Sequence, residues 1–157
     1  MPGSGKLKTL FIITRPWSFP MTLVVLLSGV ALAAWHGYSP PPALVAAAAL
    51  GSVLLHAMVN VLNDYYDTLY GVDRPEAGTA KYRPHPLIHG ILTPAQVFAV
   101  GAASGLVGLL LGLFIAFSGR PLAVPLGIAG LAAAFWYTGP PLRLKYVGLG
   151  ELTTFLV

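Results

Sequence analysis

Apolar residues run through this chain in long stretches, broken at intervals by proline, glycine and short polar segments. Four stretches approach or exceed the roughly 20 residues that a helix needs to cross a bilayer. The first covers about 17–36 and ends at His36-Gly37-Tyr38. The second, about 42–70, follows Pro40-Pro41-Pro42, a rigid stop succeeded by good helix formers. The third, about 94–117, opens on Thr93-Pro94, an N-cap residue with proline at the first helical position. The fourth, about 121–138, stops at Gly139-Pro140-Pro141. A fifth helix is expected from about 148, and residues Thr153 to Val157 fall inside it. The pattern predicts an all-α, multi-span transmembrane helical bundle of four complete spans plus the start of a fifth, in one domain over 1–157.

Composition agrees with that pattern: 56% of residues are hydrophobic and 9% charged, against about 25% charged in an ordinary soluble domain. The formal charge of +4 is too small for a nucleic-acid footprint, so nucleic acid is excluded as a partner. Its placement is informative instead. Lys6, Lys8 and Arg15 precede the first span, Arg74, Lys81 and Arg83 follow the second, and Arg143 and Lys145 follow the fourth. Only Arg120 lies in the alternate connections. Because positive charge collects on the cytoplasmic side, the N-terminus is expected to be cytoplasmic. Cysteine is absent, which removes disulfides and thiolate chemistry. The first apolar run is too long for a signal peptide. Small residues at Gly101, Gly105, Gly108 and Gly112 are expected to mark close helix packing, since small faces let helix backbones approach in lipid.

One polar stripe interrupts the second span near its cytoplasmic end. Asn60, Asn63, Asp64 and Asp67 follow an i, i+3, i+4, i+7 spacing, which puts all four on one helical face. Carboxylates inside a membrane helix are costly and persist where they line a cavity, pair with a cation or do chemistry. Two carboxylates and two amides form a hard oxygen set of the kind that suits Mg²⁺. A helix end emerging into water is the plainer alternative. The connection that follows adds Asp73, Arg74, Lys81, Arg83, His85 and His89. A carboxylate-held cation flanked by Arg and Lys is a construction for gripping a diphosphate. The positive-inside rule alone also accounts for Arg74 and Lys81. Arg83 differs, because Arg83-Pro84-His85-Pro86 is a stiff loop suited to positioning a charge. His85 and His89 are candidate ligands or general bases, although loop histidines are ordinarily solvated.

These residues resemble a known family. Asn63-Asp64-Tyr65-Tyr66-Asp67, then Gly71-Val72-Asp73, then Arg83-Pro84 leading into Gly90-Ile91-Leu92-Thr93, are similar to the first aspartate-rich motif and following loop of the UbiA superfamily of intramembrane prenyltransferases. Arg15-Pro16-Trp17-Ser18-Phe19-Pro20 and the segment from Tyr137-Thr138-Gly139-Pro140-Pro141 to Gly148-Leu149-Gly150-Glu151 extend the likeness, most closely to the 1,4-dihydroxy-2-naphthoate branch of menaquinone synthesis. The resemblance implies Mg²⁺-dependent transfer of an isoprenyl group from a prenyl diphosphate to an aromatic acceptor. It implies a metal set of Asn63, Asp64, Asp67 and Asp73, with Asp64, Asp67 and Arg83 catalytic. Lys81, Arg83 and either Arg143 or Lys145 would hold the diphosphate. Tyr65, Tyr66, Trp136 and Tyr137 would line the prenyl path or anchor the lipid interface. The expected location is a bacterial or archaeal plasma membrane with the active face cytoplasmic.

Two departures from the family pattern bear on function. Gly71 stands where an aspartate is common, with Asp73 the nearest acid. The family's second aspartate-rich motif is absent from these residues, which therefore read as the N-terminal half of the fold. The partner would be the rest of a longer chain, a separate second half, a homodimer mate or a larger membrane complex. The rival function is a non-catalytic membrane subunit that keeps the fold for packing or for lipid or quinone binding. A cation or proton carrier is a third reading, disfavoured because the acids lie near a helix end and the other spans carry few polar residues.

Overall fold

The computed structural model describes residues 3–156; Val157 lies outside the described residues, as do the side chains of residues 3–6, Lys6 included, and of Thr79. Among the described residues every regular element is helical: α1 (Gly3–Ile13), α2 (Phe19–Trp35), α3 (Pro42–Leu69), α4 (Gly78–Tyr82), α5 (Pro94–Phe117), α6 (Ala123–Thr138) and α7 (Gly150–Leu156). Single 3₁₀ turns, Pro16–Ser18 and Leu144–Val147, precede α2 and α7. The expected boundaries reappear for local reasons. Pro42 occupies the first turn of α3. Thr93 caps α5 in a reciprocal capping box, its hydroxyl accepting from the Gln96 amide at 3.3 Å while Gln96 Oε1 accepts from the Thr93 amide at 2.9 Å.

Three segments are long and apolar enough to cross a membrane: Leu7–Trp35, Pro42–Leu69 and Pro94–Phe117. The expected fourth span is shorter than that. α6 has 16 residues, roughly 24 Å at 1.5 Å per residue against a hydrocarbon core of about 30 Å. It is confined between the Ser118–Pro121 turn and the Gly139–Pro141 stop. The fifth helix begins at Gly150, not 148, because Gly148 adopts φ +79° and closes the preceding 3₁₀ turn. α1 and α4 were not expected from the apolar pattern.

α3 is the axis of the bundle. It packs along α5, and also meets α1, α2 and α6. The α3–α5 contact is close because α5 presents glycines to it. A Cβ on Gly101 would lie 2.9 Å from Leu62 Cδ2, one on Gly105 would collide with Met58, and one on Gly108 would lie 2.8 Å from Leu55 Cγ. Gly112 is not part of this close approach, since a Cβ there meets nothing within 4 Å. The α3 side of the contact supplies the core: Val61 packs with Ile13, Leu92 and Val97, while Met58, Leu62 and Tyr66 pack toward Leu131 and Ala134. α2, by contrast, buries no residue, as expected of a helix facing lipid.

Candidate functional site

The polar stripe of α3 is buried along its whole length: Asn60, Asn63, Asp64 and Asp67 are each under 9% exposed, and Asp64 is at 0%. The helix then ends in a Schellman motif. Gly71, at φ +71°, donates its N–H to the Thr68 carbonyl at 3.1 Å, and Val72 donates to the Asp67 carbonyl at 2.8 Å. Glycine takes this left-handed conformation without the steric cost of a Cβ. The Asp73 N–H also reaches the Asp67 carbonyl, at 3.1 Å, so the chain folds back and delivers Asp73 to the same end of α3.

Asp64 is held by two guanidinium groups. Arg83 binds it in bidentate fashion, Nη2 to Oδ1 at 2.6 Å and Nη1 to Oδ2 at 2.8 Å, and Arg15 Nη2 donates to Oδ1 at 2.6 Å. Such charge-assisted pairs are the strong class of hydrogen bond. Asp67 accepts from Lys145 Nζ at 2.5 Å and from the Tyr146 hydroxyl. Between the two acids, the hydrogen-bond network orients the Asn63 amide with its nitrogen 2.7 Å from Asp67 Oδ2 and its oxygen 3.3 Å from Lys145 Nζ. Burial, followed by the hydrogen bond to Asp67, holds the Tyr146 phenol well above its ordinary pKa.

Asp73 is buried against His85, with Nε2 to Oδ2 at 3.0 Å. The Ile88 N–H donates to His85 Nδ1 at 3.2 Å, so the imidazole proton sits on Nε2 and is given to Asp73. The His85 N–H in turn donates to His89 Nδ1 at 3.0 Å. His85 is fully buried, contrary to the expectation of a solvated loop histidine, because the loop closes around it through these bonds.

Ligand atoms of Asp64, Asp73 and His85 lie within 4.8 Å of one another. This set fits a hard divalent cation through its two carboxylates. His85, with its proton directed at Asp73, would orient that carboxylate in the manner of an outer-shell partner. Asp67 and Asn63 form the neighbouring half of the cluster with Lys145 and Tyr146. The residues that gather here come from four separate segments: the α1–α2 corner, α3, the α3–α5 loop and the α6–α7 connection.

The structure does not bring every expected residue to the acids. Lys81 is exposed on α4 and makes no ion pair among the described residues. Of Arg143 and Lys145, it is Lys145 that reaches an aspartate. Arg143, at φ +50°, stacks its guanidinium 4.2 Å over the Tyr70 ring. Tyr70 stacks on Tyr66 and meets Tyr146 edge-on, so an aromatic column stands beside the acids. Trp136 stays partly exposed on α6. Asn60 belongs to the stripe but not to the cluster: its amide donates to the Thr14 carbonyl at 2.9 Å and to Ser18 Oγ at 3.2 Å. Arg15 and Tyr146 were missed as site residues. For Arg15 the signal was present, since Arg15-Pro16 has the same proline-stiffened form as Arg83-Pro84.

Comparison with known proteins places these elements among relatives. The UbiA prenyltransferase family matches residues 22–157. A 1,4-dihydroxy-2-naphthoate octaprenyltransferase of Bacillus subtilis (strain 168) is 33% identical over 147 residues, 91% of this chain and 45% of that protein. The protein of the same name from Mycobacterium tuberculosis is 32% identical over 143 residues, 90% of this chain and 47% of that one. A UbiA prenyltransferase domain-containing protein 1 homolog of Drosophila melanogaster is 32% identical over 158 residues, 97% of this chain and 42% of that protein. The chain thus spans a little under half the length of these curated relatives. Because animal and bacterial relatives both match, the expectation of a specifically bacterial or archaeal membrane is not supported. No solved structure matches.

Proposed function

This chain belongs to the UbiA prenyltransferase family, and on that premise we propose that it carries the donor-binding half of a Mg²⁺-dependent prenyltransferase acting on an aromatic acceptor of the menaquinone type. The observation that supports this most directly is the composition of the buried cluster. Three acids, Asp64, Asp67 and Asp73, share one membrane end with Arg15, Arg83 and Lys145. Each cation is positioned to exchange a carboxylate for a phosphate oxygen. Arg83, with its planar fork already formed, is suited to bidentate phosphate binding.

Asp64 and Asp73 would hold Mg²⁺, with Asn63 and Asp67 completing the acidic face. The metal, when bound, would neutralise charge on the departing diphosphate. The chain's own contribution is positional. Arg83 and Arg15 keep guanidinium groups beside Asp64, Lys145 sits on Asp67, and His85 fixes the orientation of Asp73. Tyr66, Tyr70 and Tyr146 offer π-faces beside the site, suited to a developing allylic cation. Lys81, on α4, would act at the mouth of the site and not within it. The basic end of the bundle would face the cytoplasm, following the positive-inside rule.

The test is isothermal titration of the purified protein with Mg²⁺ and inorganic diphosphate, together with prenyl transfer to a panel of aromatic acceptors. Binding that needs both components and is lost in Asp64→Ala is expected. Binding or turnover unaffected by Asp64→Ala and Asp67→Ala overturns the metal-site reading. The completeness of the ion pairing also favours a second reading, a non-catalytic membrane subunit in which the cluster is structural. Absence of diphosphate binding in a fully folded protein would select it.

A further inference from the structure

His56 lies at the middle of α3, eight residues before Asp64 and so about 12 Å along the helix from it. An ionisable side chain at this depth in a membrane helix calls for a functional account, and the donor site does not use it. Its two ring nitrogens are both engaged, by Ser18 of the α1–α2 corner and by Thr22 of α2: Nε2 is 3.1 Å from Ser18 Oγ and Nδ1 is 2.7 Å from Thr22 Oγ1.

The direction of these bonds follows from Ser18. Its hydroxyl donates to the Arg15 carbonyl at 2.7 Å, which commits its single proton. Ser18 Oγ must therefore accept from His56, so the His56 proton is on Nε2 and Nδ1 accepts from the Thr22 hydroxyl. Ser18 Oγ also accepts from Asn60 Nδ2. The corner it serves is unfavourable in isolation. Arg15 has φ +55° and ψ +59°, the left-handed region, in a non-glycine residue that immediately precedes proline. Such a conformation persists where its surroundings hold it. Here both flanking peptide planes are held from α3. Asn60 binds the Thr14 carbonyl directly, and His56 backs the Ser18 hydroxyl that binds the Arg15 carbonyl.

We propose that His56 is a positioning residue that acts through Ser18 to fix the left-handed corner at Arg15, and thereby keeps the Arg15 guanidinium beside Asp64 for the diphosphate. This rests on the donor-site reading above. His56 touches neither substrate nor metal, and its effect passes entirely through Arg15.

The experiment is a double-mutant cycle in affinity for inorganic diphosphate with Mg²⁺, measured by calorimetry on the full chain, with thermal unfolding of each variant alongside. Arg15→Gln is expected to weaken binding about tenfold, the loss of one charge-assisted contact. His56→Leu should reproduce most of that loss, and His56→Gln, whose amide still donates toward Ser18 Oγ, should recover it. In the Arg15→Gln background, His56→Leu should have no further effect on affinity. Ser18→Ala breaks the same link while leaving His56 in place and should match His56→Leu, so the test survives if His56→Leu does not fold.

Full additivity of His56→Leu and Arg15→Gln would overturn the proposal, as would wild-type affinity in both His56→Leu and Ser18→Ala. Either result leaves the donor-site reading standing, provided Asp64→Ala still abolishes binding. Failure of the wild-type protein to bind diphosphate at all overturns both.

Discussion

Replacing Asp64 by Asn keeps the shape of the side chain and removes its charge, which isolates the electrostatic role of the most buried acid in the structure. The carboxylate accepts three hydrogen bonds from two guanidiniums and is itself inaccessible to solvent. In the variant, one oxygen becomes an NH₂ group that faces donors, and two arginines lose their counter-charge. Removing one partner of a buried pair costs about 3–5 kcal/mol. Arg83 and Arg15 retain 12% and 25% side-chain exposure, so part of their charge is re-solvated and the expected cost falls to roughly 2–4 kcal/mol. The coupling to Arg83 carries the argument. In an Arg83→Gln background one of the two stranded cations is already gone, so Asp64→Asn should cost about 1–2 kcal/mol less than in the wild type. Denaturant unfolding in detergent micelles, followed by tryptophan fluorescence on all four proteins, measures this. A coupling below about 0.3 kcal/mol, the range of additive distant sites, would refute the description of Asp64 and Arg83 as one electrostatic unit.

Gly108→Ala and Gly112→Ala make an internal control, because the two glycines share a helix and differ only in what faces them. A methyl at 108 meets Leu55 and the Gly51 carbonyl, at 3.2 Å, and overpacking should cost about 1–3 kcal/mol; a methyl at 112 meets nothing, and Gly→Ala there should be neutral or stabilising by up to about 1 kcal/mol. Equal effects in an unfolding assay would contradict the packing described. Tyr146 should remain protonated in the folded protein above pH 10, where a free phenol ionises, visible as missing phenolate absorbance that appears on unfolding. Since its folded pKa is raised, its contribution to stability is complete below pH 10 and declines as pH rises beyond, and Tyr146→Phe should flatten that alkaline decline. Lys145→Ala should weaken diphosphate binding more than Arg143→Ala, because only Lys145 touches an acid; the reverse order in calorimetry would shift the phosphate contact to Arg143.

What was legible in the chain was whatever depends on local period or local stiffness. Asn63, Asp64 and Asp67 share a face because the helix repeats every 3.6 residues, and Arg83 is held by neighbouring prolines. Pairings over long separations leave no such trace. Nothing in the spacing shows that Arg15 and Lys145, 49 residues before Asp64 and 78 after Asp67, converge on adjacent acids. That Lys145 reaches Asp67 while Arg143 stacks on Tyr70 has the same origin, since it follows from a left-handed turn at Arg143 that no spacing shows. His85 was misjudged because its burial comes from bonds the loop makes to itself and to Asp73. Gly112 was grouped with Gly108 by spacing, although a Cβ there meets nothing within 4 Å. The expected fourth apolar stretch reappears as the 16-residue α6, shortened only at its start, where Pro121 and Leu122 form a turn.

The helix stop at Gly71 gives the site a built-in reporter. Asp67 binds Lys145 and Tyr146 with its carboxylate while its carbonyl accepts the N–H groups of Val72 and Asp73. A ligand that pulls on the carboxylate therefore pulls on the end of α3, and fraying at that end loosens the acid. Hydrogen exchange at those two amides should slow when the site fills, so occupancy becomes readable from the backbone without labelling any residue that performs the chemistry.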